Sequence, residues 1–307
     1  MSKSFFINSG FLNWFMEKKN YSALFLFSLG VQLLAVFFSY NFLSAKVEVP
    51  PYEPFGNATV TEAGLNAISL VLPVLIMTLV FIILLKIFGF KLFMYLISIL
   101  PLGIVAFINP LFISTTLNNF LPSAADSIAL LSTGLLIFAI FYSTVKHIQW
   151  LSSLSTFIIS AEVGSFFALV LQPPTLFLVP LAFAIYDIYA VFAGPLKILL
   201  SQLVKSRFPR TKRPSISKVR QSINLGVLVA NVGGFTLGTG DLVFYSLIAA
   251  AGFMIKGIVA AMASLIAVNI GIALTLFILV KYKRVLPGLP IPIFLGVATL
   301  VIFQYVL

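Results

Sequence analysis

Three acidic residues, Glu162, Asp187 and Asp241, lie inside long apolar stretches of this 307-residue sequence. An ionisable group within a membrane span costs roughly 2.5–3.5 kcal/mol on insertion scales, so each one calls for a function. The nearest Lys and Arg lie in loops or at helix ends, leaving neither aspartate a basic partner, and structural ion pairing is the weaker explanation. Two carboxyls that face one another in a low-dielectric site cannot both ionise at ease, so they share one proton. Such a pair is a base and an acid at once. The ionised member takes a proton from water attacking a peptide carbonyl, and the protonated member hydrogen-bonds the carbonyl oxygen and later helps the amine leave. This chemistry uses no metal and no cofactor. It does require water inside the bilayer and a locally unwound substrate backbone. The same acids could instead coordinate or relay cations or protons in a transporter or channel.

Other chemistries find little support. The chain has no cysteine and one histidine, His147, beside Lys146 at a helix end, so thiol nucleophiles and a two-histidine zinc site are excluded and a Ser/His pair is disfavoured. Glu162, in IISAEVGSFF, reads equally as a water-cavity or substrate-path residue or as a buried acid bonded to a neighbouring helix. The net charge of +11 comes from short basic stretches between apolar blocks, with no nucleic-acid motif, so topology explains it better than a nucleic-acid partner.

Hydrophobic residues make up 61% of positions and charged residues 9%, and the mean hydropathy is +1.13. These values and the repeated long apolar blocks predict an all-α, multi-pass integral membrane protein with a bilayer around it. About nine spans are expected, near 21–43, 64–88, 91–113, 126–146, 149–171, 175–197, 233–250, 254–280 and 288–306. The first block is too long for a signal-peptide core and reads as an uncleaved helix. With a cytoplasmic N-terminus, 17 of the 19 Lys and Arg fall inside and only Lys46 and Lys256 outside, which puts the C-terminus outside.

The expected organisation is a single membrane domain, 1–307: six helices to residue 197, a basic cytoplasmic loop over 198–222, and three helices over 223–307. The stretch from 197 to 220 carries eight basic residues with Pro209 and Pro214, and reads as a topology anchor facing anionic lipid. After it, residues 223–234 are β-branched and Gly-rich, compatible with extended structure or with an early start to the seventh helix. Asp187 lies ten residues before Lys197, ~15 Å from that helix end, and Asp241 lies ~12 Å into a helix that starts near Gly233. Consecutive helices tend to be neighbours, so the two carboxyls are expected at similar depth across one interface.

The flanking residues sharpen this. Asp241 ends Gly238-Thr239-Gly240-Asp241, where glycines allow close approach of a helix or peptide backbone. YDIYAVF at 186–192, LGTGDLVFYS at 237–246 and LPGLP at 286–290 resemble, in order and in placement, the YD, GxGD and PAL motifs of the presenilin and signal peptide peptidase family. The likeness covers most of the chain, and the short 197–222 loop looks like the smaller microbial homologues, implying a microbial cell membrane. The resemblance implies an intramembrane aspartyl protease with Asp187 and Asp241 as the catalytic pair. Tyr186, Gly238, Thr239 and Gly240 would belong to the active-site motifs, and Pro287, Gly288, Leu289 and Pro290 would line the site. Substrates would be transmembrane helices of other proteins or signal peptides. Prepilin-type peptidases also use a G-x-G-D aspartate, but the accompanying YD and P-x-L-P strings argue against them. One departure is Gly288 where the family has Ala; Gly keeps the position small and loosens the backbone.

Overall fold

The computed structural model describes residues 5–47, 49–192, 226–282 and 287–306. The chain is an all-α membrane protein, with one small hairpin among the described residues. Its elements in order are α1 (Phe5–Ser44), α2 (Val60–Asn118), α3 (Ala125–Lys146), α4 (Gln149–Val170), α5 (Thr175–Phe192), a 3-10 turn (Gly226–Leu228), β1 (Val229–Val232), β2 (Phe235–Gly238), α6 (Thr239–Tyr282) and α7 (Pro290–Tyr305). The basic 198–222 loop predicted from the sequence lies outside the described residues, as does the end of the predicted sixth helix beyond Phe192.

Among the described residues seven helical stretches are long and apolar enough to cross a membrane, and α7 is a shorter apolar helix. Two helix boundaries depart from the predicted spans. The second and third predicted spans lie on one helix, α2, which continues through Phe88-Gly89-Phe90-Lys91 as it does through Pro73, Pro101 and Pro110. At 59 residues α2 is far longer than one crossing, and it carries two apolar windows, Val60–Phe81 and Ile99–Asn118. The break expected near 251–253 falls instead at Lys256 and Gly257, where α6 bends into two arms. Gly257 adopts φ 67° and ψ −153°, a region open essentially to glycine alone.

The seventh helix does not begin near Gly233. Residues 229–238 form an antiparallel hairpin, with Val229 opposite Gly238 and Val232 opposite Phe235. Gly233 and Gly234 both have positive φ, 58° and 85°, the pair that a twist-compatible two-residue turn demands. The hairpin docks on the Ser-rich start of α4. Ser153 Oγ accepts from Asn231 N at 3.0 Å, and Thr156 Oγ1 donates to Val227 O at 3.0 Å. Serines and threonines that look out of place in an apolar span thus satisfy backbone groups of the extended segment.

The core sits where α4, the first arm of α6, α1 and α7 meet. Small residues permit this approach: Gly164 on α4 lies against Val243, Ser246 and Leu247 on α6, and Ser165 of α4 donates to Ala35 O on α1. Ser246 Oγ donates to Ser160 O at 2.7 Å, and a Cβ at Gly164 would stand 2.7 Å from Val243 O. Gly164→Val is therefore expected to cost about 1–3 kcal/mol by overpacking. The measurement is the thermal midpoint of the detergent-solubilised protein, and an unchanged midpoint would contradict the close packing.

Glu162 is 1% exposed, and its carboxyl accepts from Asn109 Nδ2 at 2.5 Å. Asn109 Oδ1 in turn accepts from Thr133 Oγ1 at 2.8 Å. Of its two readings, the buried acid tied to a neighbouring helix fits this cluster, which joins α4 to α2 and α3. Glu162→Leu is expected to lower stability by about 1–2 kcal/mol through the orphaned Asn109 amide, while Glu162→Gln retains most of it. Parallel melting curves of the two variants check this, with equal midpoints counting against the clasp.

Candidate active site

Asp187 projects from α5, which is fastened to α2 near both ends. At the start of α5, Thr175 Oγ1 donates to Asn57 Oδ1 at 2.6 Å and accepts from Asn66 Nδ2 at 3.2 Å. Nearer its other end, the Tyr186 hydroxyl meets Thr78 Oγ1 at 3.1 Å. Thr78 spends its own proton on Val74 O at 2.7 Å, so Tyr186 is the donor. With Tyr186 held on α2, the next side chain points elsewhere, and Asp187 Oδ2 accepts the backbone N–H of Leu289 at 3.0 Å.

Asp241 lies in the first turn of α6. The ~12 Å depth inferred from a helix start near Gly233 does not hold, since the helix starts at Thr239 and the hairpin fills the preceding residues. Thr239 fixes that start by donating its hydroxyl to Val227 O. Gly238 lies against the carboxyl, since a Cβ there would be 3.3 Å from Asp241 Oδ2; at Gly240 the corresponding position meets nothing within 4 Å.

The two aspartates converge at the turn that opens α7. While Leu289 holds Asp187, Gly288 abuts Asp241, a Cβ at 288 standing 2.8 Å from its Oδ2. Gly288 is thus a fitted position, not only a tolerated one. Pro290 supplies the first turn of α7 and is buried beside Leu289, with Pro287 half-buried ahead of it. The expected α5–α6 neighbourhood is seen, among the described residues, in the ring contact of Phe183 with Phe244 at 4.8 Å between centroids, one turn from each aspartate. The main packing of α5 is against α2 and α7.

A residue that sequence reasoning did not single out completes the site. Tyr245, 3% exposed, donates its hydroxyl to Gly288 O at 2.9 Å. The available signal was its position four residues after Asp241, on the same helical face. Among the described residues no three His, Asp or Glu side chains converge as a metal site would require. His147 is exposed at the end of α3, in left-handed backbone geometry, as an interfacial residue would be.

Residues 204–307 match the Presenilin family model. Over these residues the chain is similar to the presenilin family. That match includes Asp241 and the 287–290 turn. Presenilin-B of Dictyostelium discoideum is 34% identical over 130 residues, which is 40% of this chain and 24% of that protein. A presenilin-like protein of Arabidopsis thaliana is 31% identical over 86 residues, 28% of this chain and 21% of that protein. The matched segments thus span about a quarter or less of these curated relatives. A solved structure described as a presenilin family intramembrane aspartate protease aligns with a TM-score of 0.57 and 17% identity. The alignment covers 92% of this chain and 98% of that one. At that identity the likeness is one of fold alone, and it takes in the helices that precede the matched residues.

Proposed function

We propose that this chain is an intramembrane aspartic endopeptidase that hydrolyses peptide bonds within transmembrane segments of membrane proteins or signal peptides, with Asp187 and Asp241 as its catalytic pair. The observation that carries this reading is the meeting of both aspartates at one turn, Asp187 on the Leu289 N–H and Asp241 against Gly288. One carboxylate takes a proton from a water whose oxygen bonds to the scissile carbonyl carbon. The protonated partner gives its proton to the carbonyl oxygen, producing a gem-diol. Collapse of that diol breaks the C–N bond, with a proton passing to the departing amine. The open side at Gly240 gives a peptide backbone room to approach Asp241. Tyr186, Gly238, Thr239, Pro287 and Pro290 act in this reading as the frame that orients the pair.

The proposed arrangement is one membrane domain with a cytoplasmic N-terminus and nine crossings. A cation or proton relay would string Glu162 and the aspartates along one path, whereas the hydrogen-bonded partner of Glu162 lies on α2 and continues to α3. The test is incubation of the purified protein with a single-span reporter, followed by mass spectrometry of the fragments. New termini inside the apolar segment are expected. An intact reporter, or cuts confined to its soluble flanks, would refute the proposal.

A further inference from the structure

The carbonyl that Tyr245 bonds and the N–H that Asp187 accepts belong to the same peptide unit, the one joining Gly288 to Leu289. This peptide plane therefore bridges the two helices that carry the aspartates. On one side it receives the hydroxyl of Tyr245, one turn along α6 from Asp241, at 2.9 Å. On the other it gives its N–H to Asp187 Oδ2 on α5 at 3.0 Å. The Cα of the same unit faces Asp241. A hydrogen bond accepted at the carbonyl polarises an amide and strengthens the N–H it donates, and the plane cannot rotate without breaking both bonds.

We infer that Tyr245 is a positioning residue for the aspartate pair, acting through the Gly288–Leu289 peptide. It fixes the rotation of that peptide, and hence where Asp187 sits relative to Asp241. The residue is built for this: its ring is buried, so the hydroxyl has few choices of partner, and it lies on the same helix as Asp241, one turn further along. The inference rests on the protease reading and adds the residue that sets the separation of the two carboxyls.

A buried tyrosine that merely satisfies its hydroxyl would affect stability alone. The discriminating readout is kcat against KM, taken well below the melting midpoint. Tyr245→Phe removes only the oxygen and is expected to lower kcat roughly 10- to 100-fold, the range of a misplaced reacting group, with KM nearly unchanged. Replacing Leu289 by its α-hydroxy acid turns the 288–289 amide into an ester without the N–H, leaves Tyr245 in place, and is expected to lower kcat similarly. Combining the two changes is expected to cost no more than the worse single change, because both act through one peptide. Wild-type kcat in either single variant, or multiplicative losses in the combination, would overturn the inference. The Asp187→Asn and Asp241→Asn proteins are assayed alongside. A cleaving wild type with inactive aspartate variants but an unaffected Tyr245→Phe rejects the positioning role alone, whereas a wild type that does not cleave rejects both readings.

Discussion

Asp187→Asn and Asp241→Asn are each expected to lose proteolysis by about 10³- to 10⁴-fold or more, with the fold intact. General acid–base help is worth about 10² to 10⁴ per group, and in a proton-sharing pair the loss of one carboxyl disables both roles. Asn is the informative replacement because it preserves shape. At 187 its side-chain oxygen still accepts the Leu289 N–H, so the turn at 287–290 stays in place. Ala would leave that donor without its partner and add a penalty of about 1–3 kcal/mol unrelated to chemistry. Initial rates on a single-span reporter, with melting midpoints measured in parallel, check the expectation. Activity in either Asn variant within tenfold of wild type would remove the pair from the mechanism.

Gly288→Val is expected to reduce cleavage roughly 100-fold while shifting the melting midpoint little. The added atoms grow from a point 2.8 Å from Asp241 Oδ2, and the soft object in the way is the carboxyl itself, which must swing aside. Gly288→Ala asks for a smaller movement of the same flexible group and is expected to cost only severalfold, in keeping with Ala at this place in the motif that LPGLP resembles. A kcat series in the order Gly, Ala, Val, with KM followed separately, checks this. Equal activity in all three would mean that residue 288 does not bear on Asp241.

The acids stood out in the sequence because carboxyls are costly in apolar spans, and the flanking motifs carried them to a family. How they meet was not legible. Helix order suggested a direct α5–α6 interface, yet Asp187 finds its partner 102 residues away at Leu289, a contact no local pattern encodes. The depth of Asp241 was misjudged because residues 229–238 are apolar and β-branched, as both a buried strand and a helix start can be. Only the paired positive φ of Gly233 and Gly234 separates the two. The roles of Ser153 and Thr156 depend on backbone groups more than 70 residues away, Asn231 N and Val227 O, which no local pattern encodes. Tyr245 lay within reach of simple helical spacing from Asp241, but what it bonds depends on the distant turn.

The most direct measurement of the central claim is an experimental structure with a bound transmembrane peptide whose scissile amide is replaced by a hydroxyethylene group, a mimic of the tetrahedral gem-diol. The account predicts that its hydroxyl lies within hydrogen-bond distance of the carboxyls of both Asp187 and Asp241, beside the Gly288–Leu289 turn. A fully occupied complex in which either carboxyl stands farther from that hydroxyl than one bridging water can span would contradict it.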